Sequence, residues 1–361
     1  MRATFRLFPW DVEGDLDAAR ALADDGIDRV ALAATYHGAR TITPRHPAHR
    51  IVDVPHSASY LRGASPLPAG DFSFDRARAE LEAADIEVGV WAVVGHLDAA
   101  LPSLPRVRNA FGDRLDHAPC LSHEAVRAAL REIVAAAAVA ARGGTLHLEA
   151  LGWQGLGHGS LHEKLHGADL ADGAAELLAL CACEACAERA GMSQAQAVGA
   201  VRAALARASD PSRADADADA DALDALRRAR AETAERFAVD ALEVAFGAGV
   251  RTVGIAAAEL PLQTGADASG LDVLVDCWGD VARGRGNLAR AGGGTAYVDA
   301  LTGDPDGFAA AWADLVAHGA TGLHVYHAGL ASTERRRAAA RAAAAITSPD
   351  ADAERGEMRS T

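Results

Sequence analysis

The chain has 361 residues and half of them are hydrophobic, enough to bury a large core in one big α/β domain or two smaller ones. A formal net charge of −15 argues against nucleic acid and against an anionic membrane surface as partners. No apolar run is long enough to span a bilayer, and the first residues read as a strand rather than a signal peptide, so a soluble, cytoplasmic protein is expected.

Strand-like and helix-like segments alternate from the start. "ATFRLFPW" (3–10) is a strand, followed by a helix around "DLDAARALADDG". "DRVALAATYHG" (28–38) and "IEVGVWAVVGH" (86–96) are the second and third strands. Between them, the loop over 37–75 is too long for a plain connection and is expected to act as a lid or binding loop. "HEAVRAALREIVAAAAVAARG" shows apolar residues at helical spacing, and "TLHLEALGW" (145–153) is the fourth strand. "AERFAVDALEVAFGAG" is a helix that stops at glycine and leads into "RTVGIAAAEL" (251–260). "LDVLVDCW" (271–278), "GTAYVDAL" (294–301) and "TGLHVYHAG" (321–329) complete eight strands, with helices at about 280–291 and 305–318 between them.

Eight strands separated by helices or long loops predict a (β/α)₈ TIM barrel with long βα loops, spanning 1–346 as a single domain. A doubly wound open sheet is the alternative, but no glycine-rich turn follows the first strand. The acidic low-complexity stretch 209–226 is expected to be an unpacked insertion beside a helix, and 347–361 a disordered tail.

In such a barrel the active site lies at the C-terminal ends of the strands. Those positions carry Trp10, Asp11 and Glu13; then Tyr36, His37 and Arg40, with His46 in the long loop; then His96. The fourth strand and its loop add His147, Glu149, Trp153, His158, His162, Glu163, Lys164 and His166. Glu259, Asp276, Trp278, Tyr297, Asp299, Tyr326 and His327 follow on the later strands. Most histidines and aromatics of an aromatic-poor chain thus fall on one rim, which points to a substrate site. Lys164, the single lysine among 35 basic residues, is among them. His162-Glu163-Lys164-Leu165-His166 matches the HExxH pattern of zinc proteases, but glycines fence it and no amphipathic helix carries it. It is expected to line a polar pocket instead.

Cys181-x-Cys183-x-x-Cys186 brings three thiolates close enough to share one tetrahedral ion. Cys120, just past the third strand, is the expected fourth ligand of a structural Cys₄ zinc site. Cys277, inside the sixth strand, reads as core.

A Cys after the third strand and Cys-x-Cys-x-x-Cys after the fourth resemble the zinc-containing β-galactosidases of the TIM-barrel glycoside hydrolase clan. "TYHGARTITPRHP" and "GATGLHVYHAGL" resemble uncharacterised bacterial barrel proteins assigned to glycoside hydrolysis. The resemblance implies a small glycoside or oligosaccharide as substrate, Glu149 as general acid/base and Asp299 as nucleophile, and it admits a homo-oligomer. Two positions depart from the clan: Leu148 stands where Asn usually precedes the acid/base, and Asp299 where Glu is usual.

From the residues themselves, two flanking carboxyls suit glycoside hydrolysis, with Glu259 or Asp276 as alternatives to Asp299. Glu149 needs a raised pKa to serve as acid, which burial beside Trp153 would supply. A metal-dependent hydrolase or isomerase using His37, His96, His147 and His162 is a second reading. A sugar-binding barrel without catalysis is a third.

Overall fold

The computed structural model describes residues 1–15, 17–63, 65–156, 171–209, 220–259 and 269–347. Eight parallel strands form a closed barrel: β1 (Ala3–Leu7), β2 (Arg29–Tyr36), β3 (Glu87–Val93), β4 (Thr145–Glu149), β5 (Thr252–Ala256), β6 (Leu271–Asp276), β7 (Gly294–Asp299) and β8 (Ala320–Tyr326). Each pairs with the next, and β8 returns to β1, so the ring has no free edge. The expected (β/α)₈ barrel is the observed fold, and all eight strands lie where the alternation places them. Among the described residues no helix is long and apolar enough to cross a membrane.

Helices cover the outside. They are α1 (Ala18–Asp24), α2 (Phe74–Glu82), α3 (Glu124–Ala140), α4 (Ala174–Leu178), α5 (Glu184–Arg189), α6 (Gln194–Ser209), α7 (Ala220–Gly247), α8 (Val281–Ala291), α9 (Phe308–Ala317) and α10 (Thr333–Thr347). Local chemistry sets their starts: Ser73 caps α2 by accepting from Arg76 N, and Asp280 caps α8 by accepting from Ala282 N. Apolar residues at helical spacing on α3, including Val126, Leu130, Ile133 and Ala137, are buried against the barrel.

The barrel interior is unusually polar. Arg6, Trp91, His147, Glu149, Tyr297 and His324 project into it from β1, β3, β4, β7 and β8. Register brings them level: Trp91 pairs with His147, and Tyr297 with His324. Gly254 on β5 faces His147, where a Cβ would stand 2.2 Å from its Nδ1. Only glycine leaves room for the imidazole there.

The loop over 37–75 carries an antiparallel hairpin, Ala39–Ile42 with Ile51–Val54. It is fastened over the ends of β1 and β8. Arg45 donates to Ala331 O at 2.7 Å and Gly329 O at 2.9 Å, and His49 Nε2 lies 3.1 Å from Trp10 O.

A second, smaller hydrophobic cluster lies beside the barrel. It is built from the hairpin Arg106–Arg108/Arg114–Pro119 and from α4 to α7, with the cysteines at its centre. The expectation that 209–226 is unpacked is corrected at both ends. Ser209 closes α6, while 220–226 form the first turns of α7, where Leu223 and Leu226 are buried at helical spacing. Residues 210–219, and the expected tail after Thr347, lie outside the described residues.

Candidate functional site

Arg6 anchors the barrel mouth from within. Its guanidinium lies between two rings, 4.2 Å from the centroid of Trp91 and 4.4 Å from that of Tyr297, and it is 2% exposed. It donates to Glu149 Oε2 and reaches His324 Nε2 at 3.4 Å. Trp91 Nε1 donates to the same Glu149 oxygen at 2.9 Å. Glu149 is enclosed by these groups while its side chain keeps 34% exposure. Burial by itself raises its carboxyl, but the Arg6 charge and hydrogen bond, with help from His37 and Trp91, hold it below the ordinary value.

The direction is opposite to the raised carboxyl expected from burial beside Trp153, and the indole beside Glu149 is Trp91. Trp153 is engaged elsewhere: its Nε1 donates to Arg230 O at 2.8 Å and its ring lies under the Arg230 guanidinium, on the side of the cysteine cluster.

The three other carboxyls differ in how fully they are occupied. Asp299 accepts from Leu301 N at 2.7 Å and from Thr302 Oγ1, the arrangement of a turn cap. Asp276 is exposed, pairs with Arg283 at 2.9 Å and accepts from Trp278 N. Glu259 follows β5 and accepts from Gly152 N at 2.9 Å through Oε1, while its buried Oε2 has no partner among the described residues. Burial pushes the Glu259 carboxyl up, the Gly152 and Leu151 backbone N–H groups oppose that in part, and the nearby Glu149 charge adds to it.

Aromatic rings line the mouth around Glu149. Tyr36 and Tyr326 bring their hydroxyls to 3.5 Å, and Trp278 packs against Tyr326 at 5.0 Å and Tyr297 at 5.4 Å. His37 stacks on Tyr36 at 4.2 Å and on His96 at 4.5 Å. Asp98 lies 3.0 Å from His96 Nε2.

Other rim residues hold the walls. Trp10 is fully buried against Phe8, and Glu13 accepts from Ser73 N and Arg76. Asp11 accepts from Phe8 N at 2.8 Å and is otherwise packed against Gly329 and His327, with burial pushing its carboxyl up to about 7. His327 is fully buried and held well below its ordinary value by burial and by Arg6. His46 stacks on His49 and meets Glu13 O at 3.0 Å, while Arg40 pairs with Asp53 across the exposed hairpin. His147 lies deeper, beside His324, where burial keeps it neutral with a pKa of about 3. His158, His162, Glu163, Lys164 and His166 lie outside the described residues.

Arg6, Trp91 and Asp98 were not singled out from the sequence. Arg6 carried the one available signal, a charge in the middle of an otherwise apolar strand.

The cysteines converge. Cys120 Sγ lies 3.7 Å from Cys181 Sγ, 3.8 Å from Cys183 Sγ and 3.6 Å from Cys186 Sγ. Four thiolates at about 2.3 Å from one tetrahedral ion stand roughly 3.8 Å apart, so the spacing fits a shared metal. Around them, Arg108 N donates to Cys181 Sγ at 3.3 Å, and Ser122 Oγ lies 3.1 Å from Cys186 Sγ. Cys277 stands apart, buried in the barrel wall.

No protein-family model matches the chain, and no curated protein matches it significantly. Solved structures do. Over 95% of its length the chain superposes on β-galactosidase from the psychrophilic Marinomonas ef1 with a TM-score of 0.53 at 9% identity. It also aligns with β-galactosidase from Bacillus circulans sp. alkalophilus over 91% of its length (TM-score 0.48, 11% identity). The catalytic domain of β-amylase from Paenibacillus polymyxa aligns over 92% of the chain and 94% of that domain (TM-score 0.48, 10% identity). The chain spans 59% and 50% of the length of the two β-galactosidases. The first likeness establishes a shared barrel fold.

Proposed function

We propose that the chain is a glycoside hydrolase acting on a small glycoside or oligosaccharide, with Glu149 and Glu259 as its two carboxyls. One arrangement supports this. The ends of neighbouring strands β4 and β5 present two carboxyls, Glu149 gripped by Arg6 and Trp91 and Glu259 with a buried Oε2 that has no partner among the described residues; Arg6 draws the first down, and burial with the Glu149 charge raises the second. Glycoside hydrolysis requires that pairing, an ionised carboxylate acting as nucleophile or base and a protonated acid for the leaving oxygen. Arg6 and Trp91 orient the Glu149 carboxylate, and the Leu151–Gly152 backbone orients Glu259. The rings of Tyr326 and Trp278, both partly exposed, supply faces for a sugar. Asp299, with both oxygens held in its own turn, serves better as a cap than as the nucleophile.

Zinc is the ion proposed for Cys120, Cys181, Cys183 and Cys186. It would supply structural cross-linking only, because four thiolates close the coordination shell. Five free thiols suit a reducing compartment such as the cytoplasm.

The test is hydrolysis of a panel of aryl glycosides by the wild type and by Glu149→Gln. Turnover of at least one member, reduced about 10²-fold or more in the variant, supports the proposal. Turnover of none, or equal turnover by both proteins, refutes it.

A further inference from the structure

The end of the barrel opposite Glu149 is hollow. A cavity of about 380 Å³ opens there, among the first residues of the strands. Barrels of this fold ordinarily fill their interior with layers of side chains. Here Gly89 on β3 and Gly322 on β8 thin the lowest layer. A Cβ at Gly89 would meet nothing closer than 3.5 Å, so the chain's own packing does not demand glycine there, in contrast to Gly254. We propose that this cavity binds a small neutral polyol, of glycerol to monosaccharide size.

The lining is the first reason. Thr4, Thr145, Thr252 and Thr295 border the cavity, and strand parity with Arg6, His147, Gly254 and Tyr297 turns their side chains to the axis. Each hydroxyl can both donate and accept. Asp272 adds a carboxylate whose partner is Thr295 Oγ1, a hydroxyl at 2.5 Å, rather than a cation. His147, 2% exposed, forms the roof, and as a neutral imidazole it carries one donor and one acceptor.

Size and charge select among ligands. The volume falls within the range of about 300–1,000 Å³ usual for small-molecule sites, and a bare metal ion would leave most of it unfilled. Asp272 opposes an anion, and Arg29 at the rim is already paired with Glu87 at 2.6 Å. An apolar ligand would strip water from the hydroxyls and the carboxylate without replacing its hydrogen bonds. A neutral polyol meets donors and acceptors on every side. The site lies at the far end of the barrel from Glu149, so it does not rest on the hydrolytic reading.

The test is calorimetric titration of the purified full chain with glycerol, xylitol and D-glucose, beside Asp272→Asn, Gly89→Val and Trp278→Ala. Folding of each variant is checked by circular dichroism. The expected result is saturable binding of at least one polyol, weakened roughly tenfold in Asp272→Asn and lost in Gly89→Val, whose side chain fills the hollow. Trp278→Ala, which alters only the mouth, should bind as the wild type does. Should Gly89→Val not fold, Thr252→Val removes one hydroxyl and keeps the β-branched shape, with a weakening of roughly fivefold expected. No saturable binding at up to about 50 mM would leave water as the occupant and overturn the proposal. A folded Asp272→Asn that binds as the wild type does also overturns it, as does binding lost in Trp278→Ala, which would place the polyol at the mouth.

Discussion

Arg6 donates to Glu149 across 143 positions of sequence, from the middle of β1 to the end of β4. Removing the cation would strand a largely enclosed carboxylate. Arg6→Met is expected to cost about 2–3 kcal/mol, toward the lower end for enclosed pairs because Glu149 keeps 34% exposure. Adding Glu149→Gln should restore much of the loss, as read by urea denaturation. The sign of the pH dependence follows from the depressed Glu149 carboxyl. Its stabilisation is present above the ordinary carboxylate pKa and is lost as pH falls through the lower folded value.

Asp11 works in the opposite direction. Burial raises it to about 7, so the folded state prefers it neutral and the wild type loses stability as pH rises from about 4 to about 7. Asp11→Asn keeps an acceptor for Phe8 N and removes the charge. Its melting temperature should exceed that of the wild type at pH 8, with the difference shrinking toward pH 4. Parallel melting curves for the two proteins would remove Asp11 as a source of pH dependence.

The four-thiol cluster should act as a staple for the smaller hydrophobic cluster. Cys183→Ser is expected to lose one metal equivalent per chain by mass spectrometry and to melt at a lower temperature. A wild-type metal content and melting curve in that variant would remove the structural role.

Gly254→Ala would drive a methyl group into His147 Nδ1, since the Cβ would stand 2.2 Å from it. A loss of about 1–3 kcal/mol is expected from overpacking, measured by denaturant unfolding. A neutral effect would mean that the imidazole moves freely inside the barrel.

Much of the fold was legible because alternation along one chain encodes it. The eight strands could be read from apolar runs and their spacing, and so could the convergence of Cys120 on Cys181, Cys183 and Cys186. The site was legible only as a rim. Glu149 was visible as a strand-end carboxylate, but its charge state was not, because Arg6 and Trp91 reach it only once the barrel closes and β1 and β3 turn their side chains to the axis. Trp153 misled for a related reason: four residues beyond the end of β4, chain direction no longer follows strand parity. Asp98 sits in the loop after β3, where periodicity carries no information. Leu223 and Leu226 were hidden by the acidic repeats around them.

The central claim is that Glu149 and Glu259 divide the work of base and acid. The pH dependence of kcat/KM on an aryl glycoside with a poor leaving group, for wild type and Glu259→Gln, tests it most directly. The wild type should give a bell, falling at low pH as Glu149 is protonated and at high pH as Glu259 ionises from its raised value. In Glu259→Gln the rate should drop and the alkaline limb disappear while the acid limb stays in place. An unchanged rate and an unchanged alkaline limb in that variant would contradict the assignment.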